Sequence, residues 1–172
     1  MAENVNEIRF SAGTVADVLD GLPQSAADIR DQQTIESAEH DDLIIMARLN
    51  DDVIGYIAAS ADAFGGYVVW EHVVVREYRR NAIGRRLLLE VAKRALPMAR
   101  LSIDPTGDFE IDTVVDYYAR LGFPAVGNNR LEVSALAHHV VDAIGERSEE
   151  DTTLRMILRC KPAGVITVDP TT

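Results

Sequence analysis

The clearest structural pattern in the chain lies in VVWEHVVVREYRRNAIGRRLLL, residues 68–89. It begins as a nearly continuous apolar run rich in β-branched residues, which predicts a strand buried on both faces. Ile83, Leu87 and Val91 then recur at helical spacing, and Pro97 ends the pattern. The stretch therefore predicts a strand, a tight turn and a helix.

Two ionisable residues, Glu71 and His72, interrupt the apolar run. Regular alternation along a strand assigns its side chains to two faces. One face is expected to carry Val69, Glu71, Val73 and Val75. The other face is expected to carry Trp70, His72 and Val74.

Arginines crowd the turn and the start of the helix, at Arg76, Arg79, Arg80, Arg85 and Arg86. Free N–H groups give a helix N-terminus partial positive charge, so cations are normally disfavoured there. A bound anion would resolve the conflict, because small residues such as Ala82 and Gly84 let backbone amides approach a phosphate. The alternative is a solvated basic turn whose charges pair with nearby acids. Charge alone leaves both interpretations open.

Three segments of the chain resemble motifs of the GNAT acetyltransferase superfamily. RRNAIG (79–84) resembles the Arg/Gln-x-x-Gly-x-Gly/Ala signature, and YARLGF (118–123) resembles a Tyr-x-x-Leu-Gly-Phe motif. DVIGYI (52–57) is similar to the hairpin that precedes the central strand in that family. The three occur in the family's order and spacing, and they cover most of residues 8–125.

The resemblance implies an α/β fold with a mixed, mostly antiparallel sheet of six to seven strands and about four helices. It also implies acetyl-CoA as the cofactor, with its pyrophosphate wrapped by Arg79, Arg80, Asn81, Ala82, Ile83, Gly84 and Arg85. A kink in the strand at Val73, Val74 and Val75 would offer backbone N–H groups to the pantetheine and the acetyl carbonyl.

Ala82 departs from the family pattern, because the family usually has a glycine at this position. If residue 82 needs a positive φ, alanine costs about 1 kcal/mol or more. If it does not, the change is harmless.

Acyl transfer from a thioester to an amine needs a base for the amine and a proton for the leaving thiolate. Glu71 is the candidate base, since apolar neighbours should raise its pKa; a surface ion pair with an arginine is the alternative. Tyr118 is the candidate acid by the family motif, and a packed core tyrosine is the alternative. His72 is either a substrate contact or a structural histidine. The four histidines show no metal-ligand spacing, so we expect no metal.

Composition predicts a soluble globular protein: 172 residues, 47% hydrophobic, with a net charge of −11. We expect one acetyltransferase-like domain over residues 1–160 and a loose tail over 161–172. The charge argues against nucleic acid as a partner. The sequence has no membrane-length apolar run and no visible signal peptide, and its single cysteine, Cys160, fits a reducing cytoplasm.

Local patterns predict the remaining elements. Thr14 is expected to cap a short helix, and Ser25 a second helix to about Ala38. Strands are expected at 8–10, 43–49, 53–59, from 67, at 100–103, near 130–133 and at 152–160. A further helix is expected from Ile111, ended by Gly122 and with Tyr118 facing inward, and another at 134–145, capped by Ser134.

These expectations favour an N-acetyltransferase that moves acetyl directly from acetyl-CoA to a primary amine of a small molecule or peptide. A non-catalytic acyl-CoA-binding or regulatory module is the alternative, and a toxin acting on aminoacyl-tRNA is disfavoured by the charge. A homodimer is an open expectation. A cationic acceptor (polyamine, aminoglycoside or basic peptide) is suggested by acids that should rim the acceptor cleft. These acids are Asp28, Asp31, Glu36, Glu39, Asp41, Asp42, Asp104, Asp108, Glu110 and Asp112.

Overall fold

A computed structural model of the chain describes residues 8–26, 35, 42–103, 111–123 and 133–145. Its centre is a six-stranded sheet whose spatial order follows the chain. The strands are β1 (Ile8–Gly13), β2 (Leu43–Leu49), β3 (Asp52–Ala61), β4 (Tyr67–Val74), β5 (Arg100–Ile103) and β6 (Val133–Leu136). Neighbouring strands are antiparallel except β4 and β5, which are parallel. The sheet confirms the expected mixed, mostly antiparallel architecture.

The described helices are α1 (Val15–Gly21), α2 (Ile83–Ala92), α3 (Ile111–Arg120) and α4 (137–145). Thr14 caps α1 as predicted, because its hydroxyl accepts from the Asp17 N–H and the Asp17 carboxylate accepts from the Thr14 N–H. None of the described helices is long and apolar enough to cross a membrane.

Two apolar clusters lie on opposite faces of the sheet. The larger cluster contains the buried side of α2, including Ile83 and Leu87, together with Tyr118 and Phe123. The smaller cluster contains Val18 of α1 with residues from the other faces of β2 and β3. Because both faces are covered, the central strands are mostly apolar on both sides, as their sequences predicted.

One helix end and one side-chain direction follow directly from local chemistry. Gly122 has a φ of 94° and follows α3, as expected for a residue that ends a helix in the left-handed region. Tyr118 on this helix is 4% exposed and Tyr117 is 39% exposed, so the predicted inward direction of Tyr118 is confirmed.

One predicted boundary is wrong. Ser134 does not cap a helix, because residues 133–136 form β6 and Ser134 pairs with Ser102 of β5. The helix begins only at Ala137, whose N–H donates to the Ala99 carbonyl. The predicted second helix beyond residue 26, the strand at 152–160 and the tail at 161–172 lie outside the described residues, as do most acids of the expected rim.

Candidate active site

The parallel pair β4–β5 separates halfway along β4. The pairing runs from Tyr67 with Leu101 to Val69 with Ile103, whereas β4 stays paired with β3 as far as Val74. Within the described part of the chain, residues 70–74 therefore have no strand on the β5 side. This fork leaves backbone groups of β4 facing a cleft.

The direction of these backbone groups follows from the β3 register. The Val75 N–H donates to the Ile54 carbonyl at 3.0 Å. Because N–H groups alternate sides along a strand, the N–H of Val73 also points to β3, while the N–H groups of Val74 and His72 point away from it. The carbonyl of Val74 accepts from Arg79 Nε at 3.0 Å. Among the three valines predicted to bind cofactor, the N–H of Val74 is the one directed to the cleft.

A β-bulge lies at Trp70, at the point of the fork. Ala58 pairs with Glu71 and Ala59 with Val69, so Trp70 is the extra residue on β4. The kink expected at Val73–Val75 is thus located earlier in the strand. A bulge bends a strand and increases its local twist, so it accompanies the separation from β5.

The bulge also corrects two predicted side-chain directions. Val69 is 1% exposed in the cluster with α2, although regular alternation predicted it beside Glu71. Trp70 packs against the opposite cluster with Val73, although the same rule predicted it beside His72. From Glu71 onward the predicted alternation is correct.

Glu71 lies on the α1 side of the sheet, where the Tyr56 phenol hydrogen-bonds its carboxylate. Burial raises the pKa of Glu71 above its ordinary value, and the hydrogen bond from Tyr56 opposes part of that rise. Burial and the nearby Glu71 charge raise the pKa of Tyr56, so its phenol stays protonated and donates. Among the described atoms, Glu71 Oε2 is buried and has no hydrogen-bond partner.

His72 lies on the opposite side, where it joins β4 to two helices. Its Nε2 is 2.9 Å from the Gly84 carbonyl oxygen in the first turn of α2. Its Nδ1 is 2.7 Å from the Tyr118 hydroxyl on α3. Burial lowers the pKa of His72 to about 4, so the ring is neutral at pH 7.

These contacts determine the tautomer of His72. The Gly84 carbonyl can only accept, so Nε2 carries the ring proton. In a neutral ring Nδ1 is then an acceptor, and the Tyr118 hydroxyl donates to it. The imidazole is a structural acceptor for the predicted acid rather than a proton donor to it.

The turn between β4 and α2 has an unusual backbone. Arg80 has a φ of 67° and Ala82 has a φ of 57°, both in the left-handed region. Ala82 immediately precedes the right-handed helix, and such a reversal directs successive N–H groups to one side as an anion-binding nest. The positive φ means that Ala82 carries the strain of about 1 kcal/mol or more that a side chain experiences in the left-handed region.

The arginines divide into two groups. Arg86 turns back along α2, where its Nε pairs with Glu90 at 3.1 Å and its guanidinium lies 5.7 Å from the Phe10 ring centroid. Arg76 and Arg80 are exposed and make no ion pair in the described ranges. The surface-pairing alternative therefore applies to Arg86, while Arg76 and Arg80 remain available to an anion.

Gly84 allows close packing at the start of α2. A Cβ at this position would lie 2.9 Å from the Tyr117 hydroxyl and 3.2 Å from His72 Nε2. Partial burial raises the pKa of the Tyr117 phenol, and the nearby charge of Arg85 opposes that rise. A side chain at residue 84 would thus displace the groups that line the helix N-terminus.

Sequence reasoning placed the main groups and missed two partners. Tyr56 was not singled out as the donor to Glu71, although a hydroxyl in an otherwise apolar strand was a usable signal. Tyr117, which lies close to Gly84 and His72, was not singled out either. No group of His, Cys, Asp and Glu suited to a metal occurs among the described residues.

The structure resembles solved proteins of one fold at low sequence identity. YhhK of E. coli, solved with coenzyme A bound, has a TM-score of 0.58 and 14% identity over 76% of this chain and 98% of its own. AtaTR bound with acetyl-CoA gives 0.59 and 13% over 78% and 96%. The aminoglycoside 6'-N-acetyltransferase of Enterococcus faecium gives 0.52 and 16% over 75% and 97%.

A search of curated protein sequences finds no match to the chain. The profile of the Acetyltransferase (GNAT) family matches residues 14–123, a range that contains the fork, the turn and Tyr118. This match confirms the family resemblance and, with it, the expectation of acetyl-CoA as cofactor. The chain therefore belongs to the GNAT family of acetyltransferases.

Proposed function

We propose that this protein is an acetyl-CoA-dependent N-acetyltransferase that transfers acetyl directly to a primary amine. The observation that carries the proposal is the pair of opposite-facing neighbours on β4. Glu71 presents a buried carboxylate oxygen with no partner among the described atoms on one side of the sheet, and His72 holds the Tyr118 hydroxyl on the other. Both stand at the fork between β4 and β5.

The cofactor fits the residues of the turn and the fork. The nest at Ala82 and the N–H groups of Ile83 and Gly84 suit a pyrophosphate, with Arg79, Arg80, Asn81 and Arg85 around it. The cleft-facing N–H of Val74 suits a carbonyl of the pantetheine arm or of the acetyl group. Bound acetyl-CoA supplies the activated thioester.

The residues of the chain then divide the proton chemistry. The amine nitrogen attacks the thioester carbon, and the carbon–sulfur bond breaks. Glu71 takes the proton that the nitrogen must lose, and its raised pKa makes it a stronger base. Tyr118 gives its hydroxyl proton to the leaving sulfur. Exchange with solvent returns the proton from Glu71 to Tyr118, so the net products are the acetylated amine and the free thiol.

A cationic acceptor is the finer part of the proposal. Glu71 Oε2, which has no described partner, can receive an ammonium group and so hold the acceptor at the carboxylate that serves as base. The net charge of −11 would draw polyamines, aminoglycosides or basic peptides to the protein. The fold is shared with an aminoglycoside acetyltransferase, which supports testing that class of amine.

The experiment is a screen of amines with acetyl-CoA that follows release of free thiol, with acetyl-CoA binding measured by calorimetry in parallel. Turnover of at least one amine, reduced in Glu71→Gln and Tyr118→Phe, is the expected result. Binding without turnover of any amine would favour the non-catalytic module instead. For the acceptor class, KM of spermidine is compared with that of a phosphate-bearing amine at several salt concentrations. A preference for the phosphorylated amine would overturn the cationic acceptor.

A further inference from the structure

The His72 imidazole bridges three elements that the proposed reaction brings together. Its Nδ1 accepts from Tyr118 on α3, its Nε2–H donates to Gly84 on α2, and its backbone belongs to β4. The ring also lies against both tyrosines of α3, with centroids 6.2 Å from Tyr117 and 5.9 Å from Tyr118. The family motifs that identified the fold assign no role to this residue.

We propose that His72 is a positioning residue that holds the Tyr118 hydroxyl proton until negative charge develops on the leaving sulfur. This inference rests on the proposed function, because it concerns how Tyr118 performs its part of that reaction. The structure supports it through the direction of the Tyr118 O–H bond, which the tautomer of His72 fixes toward Nδ1.

The argument depends on the relative strengths of two acceptors. A thioester sulfur is a weak hydrogen-bond acceptor, so it does not compete with the imidazole nitrogen before reaction. A thiolate is charged, and charge-assisted hydrogen bonds are about twice as strong as neutral ones. The hydroxyl therefore turns from Nδ1 to sulfur only as the carbon–sulfur bond breaks. An interaction that forms only then raises kcat and leaves the binding of acetyl-CoA unchanged, and His72 contributes by keeping the Tyr118 oxygen in place for it.

The same geometry resets the site. After proton transfer to sulfur, the Tyr118 phenolate oxygen faces the lone pair of Nδ1, because His72 keeps its single proton on Nε2. The phenolate then regains a proton from solvent, and the hydroxyl donates to Nδ1 again. His72 neither gives nor takes a proton in the cycle.

Two amide substitutions separate the two contacts of the ring. In His72→Gln the amide lies near the position of Nε2 and can still donate to Gly84, but the acceptor at the position of Nδ1 is lost. In His72→Asn the amide oxygen lies near the position of Nδ1 and retains that acceptor. Each substitution is made in the wild-type protein and in Tyr118→Phe. The measurements are kcat, KM and the dissociation constant of acetyl-CoA.

The expected result is a loss of about tenfold in kcat for His72→Gln, with acetyl-CoA binding within about twofold of wild type. His72→Asn should recover most of that loss. In the Tyr118→Phe protein, His72→Gln should cause no further loss, because the hydroxyl it positions is absent. Equal losses in both backgrounds, or a loss confined to acetyl-CoA binding, would overturn the proposal and identify a structural role.

A spectroscopic measurement separates this inference from the proposed function. Ring ¹⁵N chemical shifts of His72 should show a protonated Nε2 and an unprotonated Nδ1, and the Nδ1 signal should move in Tyr118→Phe. If no amine is acetylated, the proposed function fails while this contact is still tested. An Nδ1 signal that is protonated, or that ignores Tyr118→Phe, overturns the inference whatever the activity.

Discussion

Tyr56 and Glu71 form a donor–acceptor pair across the antiparallel strands β3 and β4. Tyr56 pairs in register with Val73, and Ala58 pairs with Glu71, so the phenol reaches the carboxylate diagonally on the same face. The phenol is 1% exposed and cannot turn to water for another partner. One carboxylate oxygen is thereby fixed, and the other is left for whatever enters on this side.

Glu71→Gln should slow acetyl transfer by about two orders of magnitude near neutral pH, because the amide cannot take the proton of the amine. The loss should shrink as pH rises and more of the amine is deprotonated by solvent. The measurement is kcat/KM from pH 6 to about pH 9.5. Asp20→Asn, which removes an exposed carboxylate from α1, is the matched control. A pH–rate profile identical to wild type would remove Glu71 from the mechanism.

Tyr56→Phe should move the acid limb of the pH–rate profile to higher pH. The hydrogen bond from Tyr56 lowers the pKa of Glu71, so its loss leaves burial to raise that pKa further. At pH 6 the variant should therefore lose more activity than at pH 8. An unshifted limb with a uniform loss would indicate that Tyr56 only supports packing.

The half-buried His72 should make the fold sensitive to mild acid. Its pKa is about 4 in the folded chain and 6.5 as the ordinary value, so between these values the unfolded chain binds the additional proton. The contribution of His72 to the stability of the fold is complete above pH 6.5 and falls as the pH drops toward 4, by at most about 3 kcal/mol. Urea unfolding across this range should show a smaller loss in His72→Gln. His139→Gln, at an exposed histidine, should behave as wild type.

Ala82→Gly should stabilise the fold slightly and leave acetyl-CoA affinity equal or better. Glycine removes the left-handed strain of about 1–2 kcal/mol, and its greater freedom in the unfolded chain offsets about half of that gain. Ala119→Gly, at an exposed right-handed position in α3, should instead destabilise by about 1 kcal/mol. Thermal unfolding with and without acetyl-CoA measures both effects. A destabilised Ala82→Gly would contradict the strain.

Arg80→Gln should weaken acetyl-CoA binding, and the difference from wild type should decrease as salt increases. The reason is that an exposed cation beside a phosphate contributes through screened electrostatics. Arg94→Gln is the control, since Arg94 lies beyond α2, where it pairs with Glu90. Calorimetric titrations at low and high salt provide the comparison. Equal effects of the two substitutions would place the phosphate elsewhere.

The predictable part of the site was the part with local causes. The arginine turn, the helix after it and the inward face of Tyr118 followed from spacing and periodicity. The faces of Val69 and Trp70 were predicted wrongly, because a bulge depends on pairing with β3 and leaves no mark in the run of valines. The role of Ser134 failed for a similar reason, since its pairing with Ser102 is a contact between distant segments. The directions of the Tyr56 and Tyr118 hydroxyls could not be predicted, because each is set by a contact with a residue distant in sequence.

The bulge at Trp70 affects the curvature of β4 without determining the faces on which the other side chains of the strand lie. Trp70 is the extra residue in the ladder between β3 and β4. Its deletion would place Glu71 directly after Val69 and restore regular alternation of the side chains. Every remaining side chain would keep its present face, but the bend that accompanies the fork would be lost. Strand β5 could then pair further along β4 and close the gap between them. A shortening of one residue would thus give a more continuous sheet that keeps both Glu71 and Tyr118 but has lost the fork between β4 and β5.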